Sequence, residues 1–299
     1  MSRIAILGNL GVDLLYQVPH LPAQHEKVQT RDLTVAGGGA PANVAHWLAR
    51  LGHDVRFHAV TGTDPLSQMA VDFLARAGVD VSGIDRRDDV GPSVASIFTG
   101  GTTKAMVCGG PREADAHWRA MAARADFTSA RHVHFAPSFH ELLFGDGRRA
   151  DLRQATVSAD LNGSVSLPLL RDPDVAFTNR DELARALAGH GTPDLAGLLD
   201  KAHAEGARRL IVTDGETGVT CHRDGQRITV APEPLSPVDR TGGGDAFAAG
   251  YLHAMLRGDD DTGALRTGLR LAGAVLAGMG SRPDTDEVTA TVNALRRKS

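Results

Sequence analysis

The sequence of 299 residues is 42% hydrophobic, enough to bury one large core or two smaller ones. A formal charge of −4, with no basic run longer than three residues, argues against a nucleic-acid-binding surface. Two cysteines are too few for a disulfide framework, and no apolar segment approaches the ~20 residues of a membrane span. We therefore expect a cytoplasmic protein without membrane or nucleic-acid partners.

Short apolar runs alternate with amphipathic segments along the chain. The runs predict buried strands at 4–7, 55–60, 133–135, 156–159, 175–178 and 210–213. The amphipathic segments predict helices at 41–50, 65–77, 181–188, 195–205, 246–257 and 263–277. This alternation favours an α/β fold with a mostly parallel central sheet covered by helices on both faces. No fixed repeat or linker interrupts it, so we expect residues 1–299 to form one domain.

The clearest helix follows Asp64. Asp64 is a good N-cap, Pro65 suits the first turn, and Gly78 is a typical stop. We expect Asp64 to have this structural role and no chemical one.

Two segments, at about 13–35 and 92–107, break the alternation. They are rich in Val, Ile and Thr and alternate polar with apolar residues, which predicts antiparallel strands at 30–35 and 93–99 outside the main sheet. A small sheet over the carboxyl edge of the main sheet would form a lid that excludes water from a ligand. The alternative is a pair of peripheral hairpins without a role.

Three consecutive glycines, Gly242, Gly243 and Gly244, precede a predicted helix and are followed by Asp245. Glycine backbone can turn several N–H groups toward one point, and a helix N-terminus favours an anion there. A carboxylate beside a bound phosphate is explained if it accepts a proton from an attacking hydroxyl. The alternative is a plain loop in which Asp245 caps the helix.

A second glycine run, Gly37, Gly38 and Gly39, precedes the predicted helix at 41–50, which contains Asn43. Bare backbone lets a polar substrate lie close, and Asn43 offers a donor and an acceptor to a hydroxyl. The run also satisfies a loose dinucleotide-binding pattern, which is weak because no suitably placed acid follows. Asp13, just past the first strand, can accept hydrogen bonds from sugar hydroxyls or can be a turn residue.

The stretches from Asp239 to Gly250 and from Gly38 to Gly52 resemble the two signature motifs of the PfkB/ribokinase family of sugar and nucleoside kinases. The resemblance implies a ribokinase-like three-layer αβα domain, with Asp245 as catalytic base and the amides of the glycines at 242–244 as anion hole. It also implies that the sugar binds at Asp13, Gly38, Gly39 and Asn43.

The same resemblance extends to the nucleotide side. It implies that ATP binds near Asn179, Thr213, Gly215, Gly218 and Gly273, with an Asp-x-Asn element at 160–162 near the phosphates. Asn179 and Glu182 match a motif that holds Mg²⁺ through water, although the same pair predicts a helix capping box. Asp239 and Thr241 match positions near a monovalent cation such as K⁺. Arg240 departs from the family pattern and could contact an anionic substrate.

From these motifs we expect ATP-dependent phosphorylation of a primary hydroxyl of a small sugar, of the ribose, fructose or keto-deoxy sugar acid type. A nucleoside kinase of the same family and a non-catalytic sugar-binding sensor are the alternatives. We also expect a homodimer formed through the lid, since pairing would cover an open sheet.

Overall fold

The computed structural model describes residues 3–100, 103–110, 115–145, 152, 154–161, 163–187 and 194–297. Its strands are β1 (Arg3–Leu7), β2 (Gly11–Gln17), β3 (Asp32–Gly38), β4 (Asp54–Gly62), β5 (Asp80–Arg87), β6 (Val94–Gly100), β7 (Thr103–Gly109), β8 (His132–Phe135), β9 (Thr156–Asp160), β10 (Val175–Asn179), β11 (Arg209–Thr213), β12 (Val219–Arg223) and β13 (Gln226–Val230). Its helices are α1 (Ala40–Arg50), α2 (Pro65–Arg76), α3 (Asp115–Arg124), α4 (Leu167–Arg171), α5 (Arg180–Leu187), α6 (Leu195–Ala204), α7 (Gly243–Arg257), α8 (Asp261–Leu276) and α9 (Asp286–Arg297).

The main sheet has nine strands in the order β13-β12-β11-β10-β9-β8-β1-β4-β5. Its strands from β11 to β5 pair in parallel, whereas β12 and β13 form an antiparallel hairpin at one edge. The predicted α/β class with a mostly parallel sheet is therefore confirmed. In the described ranges, every predicted strand and helix is present, and residue 188 of the predicted helix at 181–188 lies outside them.

The main sheet is buried on both faces, as β1 shows. Ile4 and Ile6 belong to one apolar cluster, which includes residues of α1, α7 and α8. Ala5 and Leu7 belong to another, which includes residues of α3, α5 and α6. Because successive strand side chains point to opposite faces, this division places a helical layer on each side of the sheet.

The helix after Asp64 is capped as predicted. The Asp64 carboxylate accepts hydrogen bonds from the backbone N–H groups of Leu66 and Ser67, at 3.0 and 3.1 Å. Pro65 opens α2, and Gly78 lies just beyond its end with φ +87°. The carboxylate is thereby committed to the first turn of α2, consistent with a structural role.

The two segments outside the alternation form a separate four-stranded sheet in the order β3-β2-β6-β7. The pairs β2/β3 and β6/β7 are antiparallel, as predicted, but the central pair β2/β6 is parallel, which corrects the expectation of a fully antiparallel sheet. This is because β2 and β6 both leave the main sheet in the same direction. Residues 101 and 102 of the predicted segment at 92–107 lie outside the described residues.

The fold brings both glycine runs close together. Helix α1 begins directly after the first run, α7 begins within the second, and the two helices pack against each other. Helix α7 starts at Gly243, three residues earlier than predicted, so Gly243 and Gly244 belong to its first turn. Across the described part of the chain, no helix combines the length and the apolar character needed to span a bilayer.

Candidate active site

The N-terminus of α7 presents backbone amides that have no partner within the helix. Gly242 adopts φ +78°, and its carbonyl accepts the first helical hydrogen bond, from the N–H of Ala246 at 2.9 Å. The N–H groups of Gly243, Gly244 and Asp245 therefore precede the helical ladder and have no partner within the helix. A Cβ on Gly242 would lie 2.5 Å from the Cβ of Ser281, so this turn also needs glycine for lack of space.

Asn43 and Asp245, predicted from separate motifs, are in direct contact. The Asn43 side-chain Nδ2 donates to Asp245 Oδ2 at 2.6 Å, across the packed helices α1 and α7. Asn43 Oδ1 accepts from Ser281 Oγ at 3.1 Å and from Arg282 Nε at 2.7 Å. The amide is thus held at both ends.

The first glycine run makes room for protein side chains. A Cβ on Gly38 would lie 2.1 Å from Asp13 Oδ1, and one on Gly37 would lie 2.1 Å from Arg282 Nη1. Gly39 has φ +93° and faces the backbone carbonyl of Asn9. These glycines therefore let Asp13 and Arg282 approach the backbone on either side of β3.

Asp13 lies on β2, beside Ala36 of β3, and is 8% exposed. Burial raises the pKa of its carboxyl, while the positive charges of Arg282 and Lys104 oppose that rise. Asp13 is therefore a buried carboxyl with cations on two sides, at the junction of the small sheet and the main sheet.

The Asp245 carboxyl is the most perturbed acid of the site. Burial raises its pKa to about 8, and the negative charge of Asp160 at the end of β9 contributes. The hydrogen bond from Asn43 and the charge of Arg282 act in the opposite direction. A half-buried carboxyl with a pKa near the physiological range suits general acid–base chemistry.

The loop before the glycine run is organised around Asp239, which is 5% exposed. Its carboxylate accepts from the N–H and Oγ1 of Thr241, at 3.0 and 2.7 Å, and from the N–H of Gly280 at 3.0 Å. Lys104 of β7 reaches this loop: its Nζ donates to Thr241 Oγ1 at 2.5 Å and lies 3.8 Å from Asp239 Oδ1. An ammonium group from the small sheet thus stands beside the two residues matched to a cation site.

Three predicted nucleotide-side residues meet at the carboxyl ends of β10 and β11. Asn179 and Thr213 are direct neighbours across the two strands. Asn179 Oδ1 accepts from the N–H of Glu182 at 2.9 Å, and Glu182 Oε2 accepts from Thr178 Oγ1 at 3.2 Å and from the Asn179 N–H at 3.5 Å. The helix capping box that Asn179 and Glu182 predict is therefore present.

The remaining predicted nucleotide-side glycines are more dispersed. Gly215 and Gly218 flank the turn after β11 and have φ +53° and +116°. Gly273 lies inside α8, and a Cβ there would meet nothing within 4 Å. Asn162, of the Asp-x-Asn element, lies outside the described residues.

Sequence reasoning missed Ser281, Arg282 and Lys104. Ser281 is fully buried and donates to the Gly37 carbonyl at 3.2 Å, and Arg282 Nη2 donates to the Gly38 carbonyl at 3.3 Å. No pattern surrounds these residues in the sequence. Arg240, singled out for a possible anionic substrate, is instead exposed and lies 3.8 Å from Glu216, on the turn after β11.

A surface cavity of about 530 Å³ opens at the opposite edge of the main sheet. Arginines line it, but they are paired with acids, as in the 2.8 Å contact between Arg208 and Asp174. It contains none of the predicted site residues.

The chain is similar to known carbohydrate kinases over nearly its whole length. The model of the pfkB family carbohydrate kinases matches residues 1–287. The chain belongs to this family of carbohydrate kinases. It is 25% identical to the 5-dehydro-2-deoxygluconokinase of Clostridium perfringens, over 99% of this chain and 93% of that protein. It is 29% identical to the ATP-dependent ribose-1-phosphate kinase of Halopiger xanaduensis, over 97% and 98% of the two chains.

Solved structures agree on the fold. This kinase superimposes on the Arabidopsis thaliana ribokinase complexed with ribose and ATP with a TM-score of 0.80, at 20% identity and over 100% and 99% of the two chains. The nine-stranded sheet with its separate small sheet is therefore the ribokinase fold.

Proposed function

We propose that this carbohydrate kinase transfers the γ-phosphoryl group of ATP to a primary hydroxyl of a small sugar, of the ribose, fructose or keto-deoxy sugar acid type. The observation that carries the proposal is the placement of Asp245 beside the unpaired amides of α7, with a pKa raised to about 8. A proton acceptor and an anion-binding backbone stand together there, as phosphoryl transfer to a hydroxyl requires.

In this mechanism Asp245 accepts the hydroxyl proton while the sugar oxygen attacks the γ-phosphorus. The new P–O bond forms as the bond to the β-phosphate oxygen breaks, and ADP leaves. The N–H groups of Gly243, Gly244 and Asp245, with the positive end of the α7 dipole, stabilise the charge on the transferred group. Gly242 keeps this turn open by its left-handed conformation.

The sugar would lie between the small sheet and α1. Asp13 accepts hydrogen bonds from its hydroxyls, and the second hydrogen of Asn43 Nδ2 is available as a donor. Gly39 is half-exposed on this side, and Gly38 leaves room for the Asp13 carboxylate. The small sheet would act as the lid that keeps water from replacing the sugar as phosphoryl acceptor.

On the nucleotide side we assign Thr213, Gly215 and Gly218 to the ATP phosphates and ribose, and Gly273 to the adenine. Thr213 lies at the end of β11, and β10 separates it from Asp160 at the end of β9, whose charge acts on Asp245. The superimposed ribokinase is complexed with ATP, which supports ATP as a ligand of this fold by analogy.

The residues at the end of β10 fit Mg²⁺ held through water. Glu182 Oε2 accepts only hydrogen bonds of 3.2 and 3.5 Å, so its oxygens can still bind water around a metal. In the part of the chain that the structure describes, no three His, Cys, Asp or Glu side chains could hold a metal together. Asn179 and Glu182 would thus orient water ligands, and the bound ion would neutralise phosphate charge.

A monovalent cation at Asp239 and Thr241 stays a prediction. Three protein donors already engage the Asp239 carboxylate, and the Lys104 ammonium stands beside it. We propose that Lys104 supplies the positive charge of this loop, with K⁺ acting there only when Lys104 is removed.

We also propose a homodimer through the outer face of the small sheet. Leu33, Val35 and Val107 share this face and are 47%, 40% and 66% exposed. Exposed apolar side chains on a sheet favour pairing with a second sheet. Sedimentation velocity tests it: Val107→Glu should give a monomer where the wild type gives a dimer, and a monomeric wild type would contradict the proposal.

The kinase assignment is tested by ADP release from Mg-ATP against a panel of ribose, fructose, 2-keto-3-deoxygluconate and adenosine. Asp245→Asn should abolish turnover of the accepted compound, whereas Asp260→Asn should retain it, since Asp260 caps α8 and Asn caps equally well. A compound that binds both Asp245 forms equally without turnover would favour the sensor instead.

A further inference from the structure

Arg282 is a half-buried cation that the proposed reaction does not use. It lies in the loop between α8 and α9, where Nε donates to Asn43 Oδ1 and Nη2 to the Gly38 carbonyl. Nη1 is buried and has no hydrogen-bond partner among the described residues. An arginine placed this deep needs a compensating role, because burying a charge is costly.

The contact with Arg282 decides which way the Asn43 amide points. An amide can exchange its oxygen and nitrogen by a 180° rotation, and Ser281 could serve either orientation because a hydroxyl both donates and accepts. A guanidinium only donates. It therefore requires the amide oxygen on its side, which leaves Nδ2 facing Asp245.

We propose that Arg282 is a positioning residue for Asp245: it fixes the Asn43 amide so that Nδ2 donates to the Asp245 carboxylate, and it supplies the positive charge that balances the ionised carboxylate. This inference rests on the proposed role of Asp245 as general base.

The charges around Asp245 make the second part of this role necessary. Asp160 from the end of β9 and Asp13 from β2 both disfavour its ionised form, in addition to burial. Asn43 and Arg282 favour the ionised form, and of these two only Arg282 carries a charge. Removing Arg282 would leave Asp245 exposed to two like charges, with only the neutral Asn43 amide favouring its ionised form.

Among the residues that the structure describes, no neighbouring cation can replace Arg282. His46 of α1 lies close to it, but burial and the charge of Arg282 hold the pKa of the His46 imidazole well below its usual range, so it is neutral. Lys104 of β7 acts on Asp13. Arg282 itself stays protonated at neutral pH, since burial lowers its pKa only to about 10 and the charges of Asp13 and Asp245 oppose the decrease.

The surrounding backbone is built to admit this side chain. A Cβ at Gly37 would lie 2.1 Å from Nη1 and 2.9 Å from Cζ of Arg282. Any residue other than glycine at position 37 would therefore displace the guanidinium. Gly37→Ala is thus a way to move Arg282 without changing its charge.

The test compares the pH dependence of kcat/KM for the accepted sugar, at fixed saturating Mg-ATP, in the wild type, Arg282→Gln, Arg282→Lys and Ser281→Ala. Arg270→Gln, an exposed arginine of α8, is the matched control. The acid limb of the profile is the pH range in which kcat/KM falls as Asp245 becomes protonated. Arg282→Gln should move this limb upward by at least about one pH unit, which lowers kcat/KM tenfold at pH 7. Arg282→Lys should keep the limb in place but lower kcat, because lysine supplies the charge without the planar donor. Ser281→Ala should leave the limb unmoved.

An acid limb that stays in place in Arg282→Gln would overturn the proposal, even if kcat falls, because a merely structural role lowers rates equally at every pH. If Arg282→Gln does not fold, as judged by thermal unfolding, Gly37→Ala provides the same comparison and should also shift the limb. If the wild type phosphorylates no compound of the panel, the proposed function fails, but the inference is still tested. In that case ¹³C NMR titration of the aspartate carboxyls, with Asp245→Asn to assign the signal, should show Asp245 titrating at higher pH in Arg282→Gln.

Discussion

Replacing Asp245 by asparagine should lower the activity of this kinase by orders of magnitude and make the protein more stable at the same time. Asparagine has the same size and cannot accept the hydroxyl proton, so we expect kcat to fall by about 10²- to 10⁴-fold, the usual contribution of a general base. The contact with Asn43 can survive, because the amide oxygen of the new side chain can accept from Asn43 Nδ2.

The stability gain follows from the pKa of Asp245, which the fold raises from 3.8 to about 8. The folded state favours the protonated form of a carboxyl whose pKa it raises. The contribution of Asp245 to the free energy of unfolding is therefore complete below pH 3.8 and is lost as the pH rises toward 8. Each pKa unit corresponds to about 1.36 kcal/mol, which sets an upper limit of about 6 kcal/mol. Because Asp245 is only half-buried and water can relax around it, we expect about 1–3 kcal/mol at pH 8.

Differential scanning calorimetry at pH 5 and pH 8 measures this difference. Asp245→Asn should unfold about 2–6 °C above the wild type at pH 8, with a much smaller difference at pH 5. The control Asp260→Asn should show neither effect, because its carboxylate caps α8 in solvent-accessible surroundings. An Asp245→Asn protein that is no more stable than the wild type at pH 8 would refute the argument that the fold strains an ionised Asp245.

Three further predictions concern single contacts. Asp64→Ala should lower the free energy of unfolding by about 1 kcal/mol in urea titrations without changing turnover, because it removes only a helix cap. Gly38→Ala should raise KM for the sugar several-fold, since its Cβ would displace Asp13, whereas Gly91→Ala, where a Cβ meets nothing within 4 Å, should not. Lys104→Met should slow turnover and introduce activation by KCl over NaCl that the wild type lacks; equal K⁺ activation of both proteins would contradict the proposed role of this ammonium.

The main sheet could be predicted from sequence because its central strands are buried on both faces. Continuous apolar runs such as Ile4–Leu7, which lie between glycine-rich turns, leave few alternatives to a buried strand. The edge strands β5 and β13, and β12 beside β13, were not predicted, and their composition explains it. Strand β5, with the sequence Asp-Val-Ser-Gly-Ile-Asp-Arg-Arg, is half-buried along most of its length, so it has no apolar run to identify it.

The start of α7 was predicted three residues too late for a physical reason. Glycine has poor helix propensity, so a glycine run before an apolar helix is interpreted as a loop. The helix nevertheless extends to Gly243, because the chain turns at Gly242 in the left-handed conformation and α7 packs against both α1 and α8. Tertiary packing outweighed local propensity here, and the three unpaired amides at its start follow from it.

The residues of the candidate site also include some that the sequence predicts and others that it does not. Asp13, Asn43 and Asp245 were predicted because each lies within four residues of a glycine, in the first turn of a helix or near the start of a strand. Arg282 could not, because its position depends on contacts with residues about 240 positions earlier in the chain, at Gly38 and Asn43. Nothing in the Gly-Ser-Arg-Pro turn reveals those contacts. The sequence shows a glycine at position 37. Only the folded chain shows why glycine is required there, because it leaves space for the guanidinium of Arg282. Sequence therefore locates the groups that would act on the substrate, whereas the charge that balances them is found only in three dimensions.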